Sequence, residues 1–204
     1  MGDPAGIGPE IIVKTLAQMS DSDRSNAVVI GNQSLLERAA KISGVELTFS
    51  DSLDTSSGVV PVVHVSTQGE TSIMDGQMSA AGGEAAYRYV ERAVQLCLDQ
   101  IISVIVTAPL NKAAMHLAGH KYDGHTELLA TLTGAKSSFM LLAGPKLSAI
   151  HVTTHTSLSN AATKPSVERV LETIKVGHAH FKKIGFESPR IAVSGLNPHC
   201  GEGG

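Results

Sequence analysis

The 204-residue sequence contains no tryptophan, and aromatic residues make up only 3% of it. That scarcity removes the stacking platforms of single-strand nucleic-acid binders and most of the usual aromatic interface anchors. An excess of basic charge is missing too: 16 Lys and Arg stand against 19 Asp and Glu, a formal net charge of −3. Binding to a phosphate backbone needs a basic footprint, and no run of Lys and Arg supplies one, so no nucleic-acid partner is expected. Cys97 and Cys200 are the two cysteines. They lie too far apart to form a disulfide framework, and no signal-like apolar stretch is present, which points to a reducing cytoplasm. The longest apolar runs, such as the one through 104–106, fall far short of the roughly 20 residues that span a bilayer, so no membrane segment is expected. What remains, 42% hydrophobic and 17% charged residues, is the composition of an ordinary globular protein.

Short β-rich runs alternate with longer helical patterns, the signature of a parallel sheet covered by helices, so the expected fold class is α/β. Five of residues 1–10 are Gly or Pro, which predicts a tight turn that presents a helix start. Pro9 suits a first helical position, and Ile11, Ile12, Thr15, Leu16 and Met19 supply a buried stripe. Strands are expected at 27–30, 45–49, 59–65, 101–106, 139–142, 148–152 and 190–193. Helices are expected at 34–42, from Gly82 to about Asp99, after Lys112, from about Leu128 to Leu132, and at 167–184. Cys97 reads as a core residue of its helix, and 50–57 as a loop.

Three strand-like runs end in polar clusters: 107–112, Thr153-Thr154-His155, and 197–204. In an open parallel sheet, sites form outside the carboxyl ends of strands, so these clusters could converge on one crevice. His155 and His199 are candidate metal ligands from different strands, with His151 a weaker third. A catalytic metal wants about three protein ligands, and an isolated histidine is more often hydrogen-bonded scaffolding. Gly124-His125-Thr126-Glu127 places donors at a helix start, where free N–H groups and the helix dipole favour an anion. The plain alternative is that Thr126 caps the helix and His125 lies on the surface. Lys112 is either an anion clamp or general acid/base, or simply a solvated lysine. Cys200 reads as a small buried residue more readily than as a soft ligand. His116, His120, His178 and His180 show no partner pattern. The opening glycines match neither the dinucleotide fingerprint nor the Walker pattern.

Five motifs stand in series: Gly-Asp-Pro-Ala-Gly-Ile-Gly-Pro-Glu (2–10), Thr-Ala-Pro-Leu-Asn-Lys (107–112), Gly-His-Thr-Glu (124–127), Thr-Thr-His (153–155) and Asn-Pro-His-Cys-Gly-Glu-Gly-Gly (197–204). In order and spacing they resemble the 4-hydroxythreonine-4-phosphate dehydrogenase family of pyridoxal phosphate biosynthesis. The wording at 2–14 and 125–133 is similar to the branch acting on 4-phospho-D-threonate and 4-phospho-D-erythronate. The resemblance implies an isocitrate/isopropylmalate-dehydrogenase-like open sheet with flanking helices, a homodimer, NAD or NADP as cofactor, and a divalent metal (Zn, Mg or Co). His155 and His199 match two of the family's metal-ligand histidines, and His125 and Thr126 match its pair for the phosphorylated substrate. Cys200 replaces the Ala usual after the second ligand. The third ligand belongs to a Tyr-His-Asp-Gln-Gly motif that does not occur here. Residues 1–204 are therefore expected to be a partial α/β dehydrogenase, matching about the first two-thirds of a family member. The C-terminal third, with much of the nucleotide site, and the first strand are expected to be absent.

The function expected from this resemblance is oxidation, with decarboxylation, of a small 4-phosphorylated hydroxy acid such as 4-phosphohydroxy-L-threonine or 4-phospho-D-threonate. Lys112 is the catalytic or substrate-contacting candidate, and this stretch alone is expected to be inactive. Two alternatives come from other classes. One is a non-catalytic module that binds a phosphometabolite. The other is a metal-dependent hydrolase, for which Glu202 is the nearest water-activating carboxylate.

Overall fold

A computed structural model describes residues 1–53, 58–197 and 199. Cys200 and Glu202, and part of the loop expected at 50–57, lie outside the described residues. The chain divides into two compact units, Met1–Lys136 and Ser137–Gly204.

The first unit is built on a parallel three-stranded sheet of β1 (Val29–Gly31), β2 (Thr48–Ser50) and β3 (Val59–His64), in the order β1-β3-β2. Side chains alternate across a strand, and the two faces of β1 show it. Val29 joins Val60 and Val62 in one cluster, beneath α1 (Gly8–Gln18) and α3 (Gln33–Ser43), which contribute Val13, Leu16 and Leu36. Ile30 turns to the opposite face and meets a second cluster, formed by Ala5, Ile73, and Ala85 and Tyr89 of α4 (Ala80–Leu98). Covered on both faces, β1 and most of β3 read as apolar runs, as buried parallel strands do, while β2 is Thr-Phe-Ser with Thr48 exposed.

Local chemistry fixes the helix ends. Ser20 before α2 (Asp21–Ser25), Asn32 before α3, Ser79 before α4 and Asn111 before α5 (Lys112–Leu117) each accept a hydrogen bond from a backbone N–H in the first turn. Gly44 closes α3 in the left-handed conformation that its lack of a Cβ permits. Gly83 has a different role: a Cβ there would lie 2.0 Å from the Ala114 carbonyl oxygen, so α4 and α5 can meet only at a glycine. That approach assembles a third cluster of Val90, Val94, Met115 and Leu128, the last from α6 (His125–Leu132).

In the second unit, β4 (Leu141–Leu142) and β5 (Ala149–Ile150) form an antiparallel pair, followed by α7 (Leu158–Thr163) and α8 (Val167–Lys183). Arg169 of α8 ties the pair down: its guanidinium donates to the carbonyls of Val152 (3.1 Å) and Ser138 (3.0 Å) and lies over the Phe139 ring.

Two expected strands did not form. Segments 101–106 and 190–193 carry no ladder, and Val104, Val106 and Val193 are exposed. A β-branched run becomes a strand only beside another strand; Ile101 and Ile102 instead give their N–H groups to the Leu96 carbonyl, and among the described residues neither run pairs with a strand. Cys97 is free and half-buried rather than fully in the core.

Candidate functional site

The opening turn folds directly onto 107–110. The Asp3 N–H donates to the Pro109 carbonyl (2.9 Å), and the Met1 nitrogen donates to the carbonyl of Ile30, the middle residue of β1 (2.9 Å). Gly2 has a φ of +72°, and a Cβ on it would sit 2.4 Å from the Pro109 oxygen, so both conformation and space demand glycine. Asp3 is buried and accepts a hydrogen bond from the Ala5 N–H (2.9 Å), which tightens the turn. Two of the five motifs therefore touch at one edge of the sheet, near the end of a parallel strand.

A third motif joins them through Lys112. This lysine opens α5 and is exposed, and its Cε lies 3.9 Å from where a Cβ on Gly124 would stand. Gly124 is the N-cap of α6 and supplies no side-chain cap, so the helix starts at His125 rather than near Leu128. Thr126 therefore lies inside the first turn and is not the cap. An uncapped first turn leaves its N–H groups open to an outside acceptor, and the dipole there favours an anion. His125 is half-buried, its Nε2 is buried without a hydrogen-bond partner, and burial lowers its pKa below the ordinary imidazole value. A buried ring nitrogen with no protein partner is a group awaiting one. Lys112, His125 and Thr126 thus share a small polar corner of the first unit.

The histidines expected to bind metal belong to the second unit. His155 and His199 are both exposed, and both have positive φ (+49° and +61°). The His151 N–H donates to the Met140 carbonyl and prolongs the β4–β5 pairing. Among the described residues, no group of three or more His, Cys, Asp and Glu side chains could hold a metal ion. Two surface depressions lie elsewhere. One of about 560 Å³ beside β2 is lined by Arg24, Lys41 and Phe49 among others, and one of about 480 Å³ along α4 by Arg88, Arg92 and Leu98. Neither includes a residue of the motifs, so the polar corner is the better candidate.

Sequence reasoning missed a group beside that corner. His120 Nε2 donates to Glu84 Oε2 (2.6 Å), its ring stacks on Tyr87 at 3.7 Å, and Arg88 bridges Glu84 and Glu91. Burial alone would raise the Glu84 carboxyl, but hydrogen bonds from His120 and Arg88 outweigh it and hold the pKa below the ordinary value. Residues 84, 87, 88 and 91 form a single stripe of α4, and that spacing was the available signal.

The sequence profile of the family described as "Pyridoxal phosphate biosynthetic protein PdxA" matches residues 23–204. The chain belongs to the PdxA family. It is 44% identical to a D-threonate 4-phosphate dehydrogenase of Cupriavidus necator and 41% identical to a 4-hydroxythreonine-4-phosphate dehydrogenase of Geobacter metallireducens, in each case over 100% of this chain and 62% of the relative. The crystal structure of a 4-hydroxythreonine-4-phosphate dehydrogenase from Burkholderia phymatum superposes with a TM-score of 0.85 at 42% identity, covering 100% of this chain and 63% of that one. The chain thus spans about 62% of the length of these curated PdxA-family relatives. The expected isocitrate/isopropylmalate-dehydrogenase-like α/β fold is the one it shares with its solved relatives, as far as the chain extends. No helix among the described residues is long and apolar enough to cross a membrane.

Proposed function

We propose that this chain carries the phosphate-binding part of a nicotinamide-dependent oxidoreductase acting on a small 4-phosphorylated hydroxy acid of the 4-phosphothreonate or 4-phosphohydroxythreonine type. One observation carries the proposal: His125 Nε2 is buried and unpartnered at the uncapped start of α6, beside Lys112. A phosphate there would accept from the first-turn N–H groups, the Thr126 hydroxyl and the His125 ring, while the Lys112 ammonium offsets its charge. Fixing the phosphate end orients the hydroxyl-bearing carbon for reaction. NAD or NADP, when bound, would supply the hydride acceptor for that carbon. The hydroxyl proton passes to a base, and the resulting β-keto acid loses carbon dioxide.

The similarity at 2–14 and 125–133 and the 44% identity to the Cupriavidus protein favour the threonate branch. The working assembly in this proposal is a cytoplasmic homodimer. His155 and His199 are the residues this chain offers to a divalent metal (Zn, Mg or Co). The described residues do not complete such a site, so no step is routed through it. A second reading, a phosphometabolite-binding piece without turnover, rests on the same polar corner of Lys112, His125 and Thr126.

The deciding experiment adds 4-phosphothreonate or 4-phosphohydroxythreonine to the protein with NAD or NADP and a divalent metal. NADH or NADPH absorbance that Thr126→Ala lowers about a hundredfold supports the enzyme. Ligand-dependent thermal stabilisation without absorbance supports the binding piece, and neither signal with either substrate rejects both.

A further inference from the structure

We infer that His120, Glu84 and His116 are positioning residues, a two-histidine clamp that sets the start of α6 where a phosphate must be met. The inference rests on the phosphate reading of that helix start. The turn between α5 and α6, residues 118–124, decides where Gly124, His125 and Thr126 sit. The Ala118 and Gly119 N–H groups donate to the Ala114 and His116 carbonyls at its start, and three hydrogen bonds made by the two histidines hold the rest. The His120 N–H donates to the Met115 carbonyl (2.9 Å), which closes α5. His116 Nε2 donates to the Tyr122 carbonyl (3.1 Å), two residues before Gly124. His120 Nε2 donates to Glu84 Oε2 (2.6 Å) and ties the turn to α4.

The last bond is the one that reaches beyond α5 and the turn to another helix. The imidazole of His120 lies flat on Tyr87, with ring planes 5° apart, and the Tyr122 ring stacks against Tyr87 from the other end of the turn at 6.3 Å. Glu84 is held in its turn by Arg88 (2.7 Å), which also engages Glu91. Acceptor and stacking face therefore both come from one stripe of a helix whose approach to α5 is fixed at Gly83. Neither histidine ring is spent on fold closure alone, because the core of this region is already filled by Val90, Val94, Met115 and Leu128. What the two rings control is the path of 120–124 into α6, and a binding constellation held loosely by an unsupported loop loses its geometry.

The test is titration of the full 204-residue chain with inorganic phosphate, followed by the backbone amide signals of His125 and Thr126. The wild-type chain should bind, and Thr126→Ala should lose that binding. His120→Ala and His120→Phe, the second keeping the stack on Tyr87 without the donor, should each weaken binding on the order of tenfold at little change in thermal midpoint. His120→Gln, which restores an N–H donor, should recover most of the loss. Glu84→Ala combined with His120→Ala should cost no more than either alone, since the two residues act as one contact. If His120→Phe binds as wild type while Thr126→Ala does not, or if the two losses simply add, the clamp is overturned and the phosphate reading survives. If the wild-type chain binds no phosphate, both fall.

Discussion

The two sheets among the described residues are held in opposite ways. The parallel β1-β3-β2 sheet has short strands, two of them only three residues long, yet Val29, Val60 and Val62 are buried under α1 and α3 while Ile30 is covered from the α4 side. The β4–β5 pair has two residues per strand and a single helix, α8, seated on it through Gly177, whose missing Cβ would lie 3.6 Å from Ile150. On α8 only Thr173 and Gly177 are buried, and Val167 and Leu171 face outward. In the first unit, burial on both faces substitutes for strand length. In the second, polar ties such as Arg169 to two carbonyls do more of the work. The contrast extends to function, because the phosphate-binding candidates stand on the packed unit and the candidate metal ligands on the unit with little buried surface.

The contrast can be broken most directly in the cores. Leu36→Ala, at a fully buried position, should cost about 3–5 kcal/mol. Leu171→Ala, at a position 47% exposed, should cost under about 1 kcal/mol. Chemical denaturation of both variants checks this, and equal losses would remove the distinction between the units.

Glycine substitutions sharpen it further, because they should differ in sign. Gly83→Ala drives a methyl into the Ala114 carbonyl and should destabilise by about 2–3 kcal/mol. Gly177→Ala meets only ordinary van der Waals contact with Ile150 and gains helix propensity, so it should stabilise by about 0.5–1 kcal/mol. Thermal unfolding of the two variants reads the sign directly.

The smallest effect is a pH dependence carried by the packed unit. Burial lowers the His125 pKa below its ordinary 6.5 in the folded chain. The unfolded chain then binds the proton more readily, so this group's penalty on the native state is full at low pH. Stability rises as pH climbs toward 6.5 and is level above it. Midpoints measured across that window should show a slope that His125→Asn removes.

Much of the first unit follows from local pattern. Pro9 at the start of α1, the capping Asn32 and Ser79, and Gly44 at the end of α3 are short-range signals, and each element formed within a few residues of its expected place. The stripe expected on α1 held only in part: Leu16 is buried, but Ile11 and Thr15 are exposed and Val13 packs into the core instead. The start of α6 was misplaced by three residues, because Thr126 has the chemistry of a cap and only the backbone showed Gly124 in that position. The runs at 101–106 and 190–193 have the composition of strands, but pairing is not a property of the run itself. His120 offered no pattern because its partner, Glu84, is 36 residues away.

By itself, the sequence determined the α/β class, the approximate places of α1, α3, α4 and α8, and the five motifs that mark a PdxA-family chain. Those features depend on side-chain identity and near-neighbour spacing, which a linear chain already contains. Tertiary structure alone decided that the opening turn lies on 107–110, that Lys112 stands beside Gly124, that the His125 ring nitrogen is buried without a partner, and that His120 reaches Glu84. Each of these depends on the close approach of segments distant in sequence. In the α4–α5 region that approach is set by a glycine, Gly83, where no larger residue would fit.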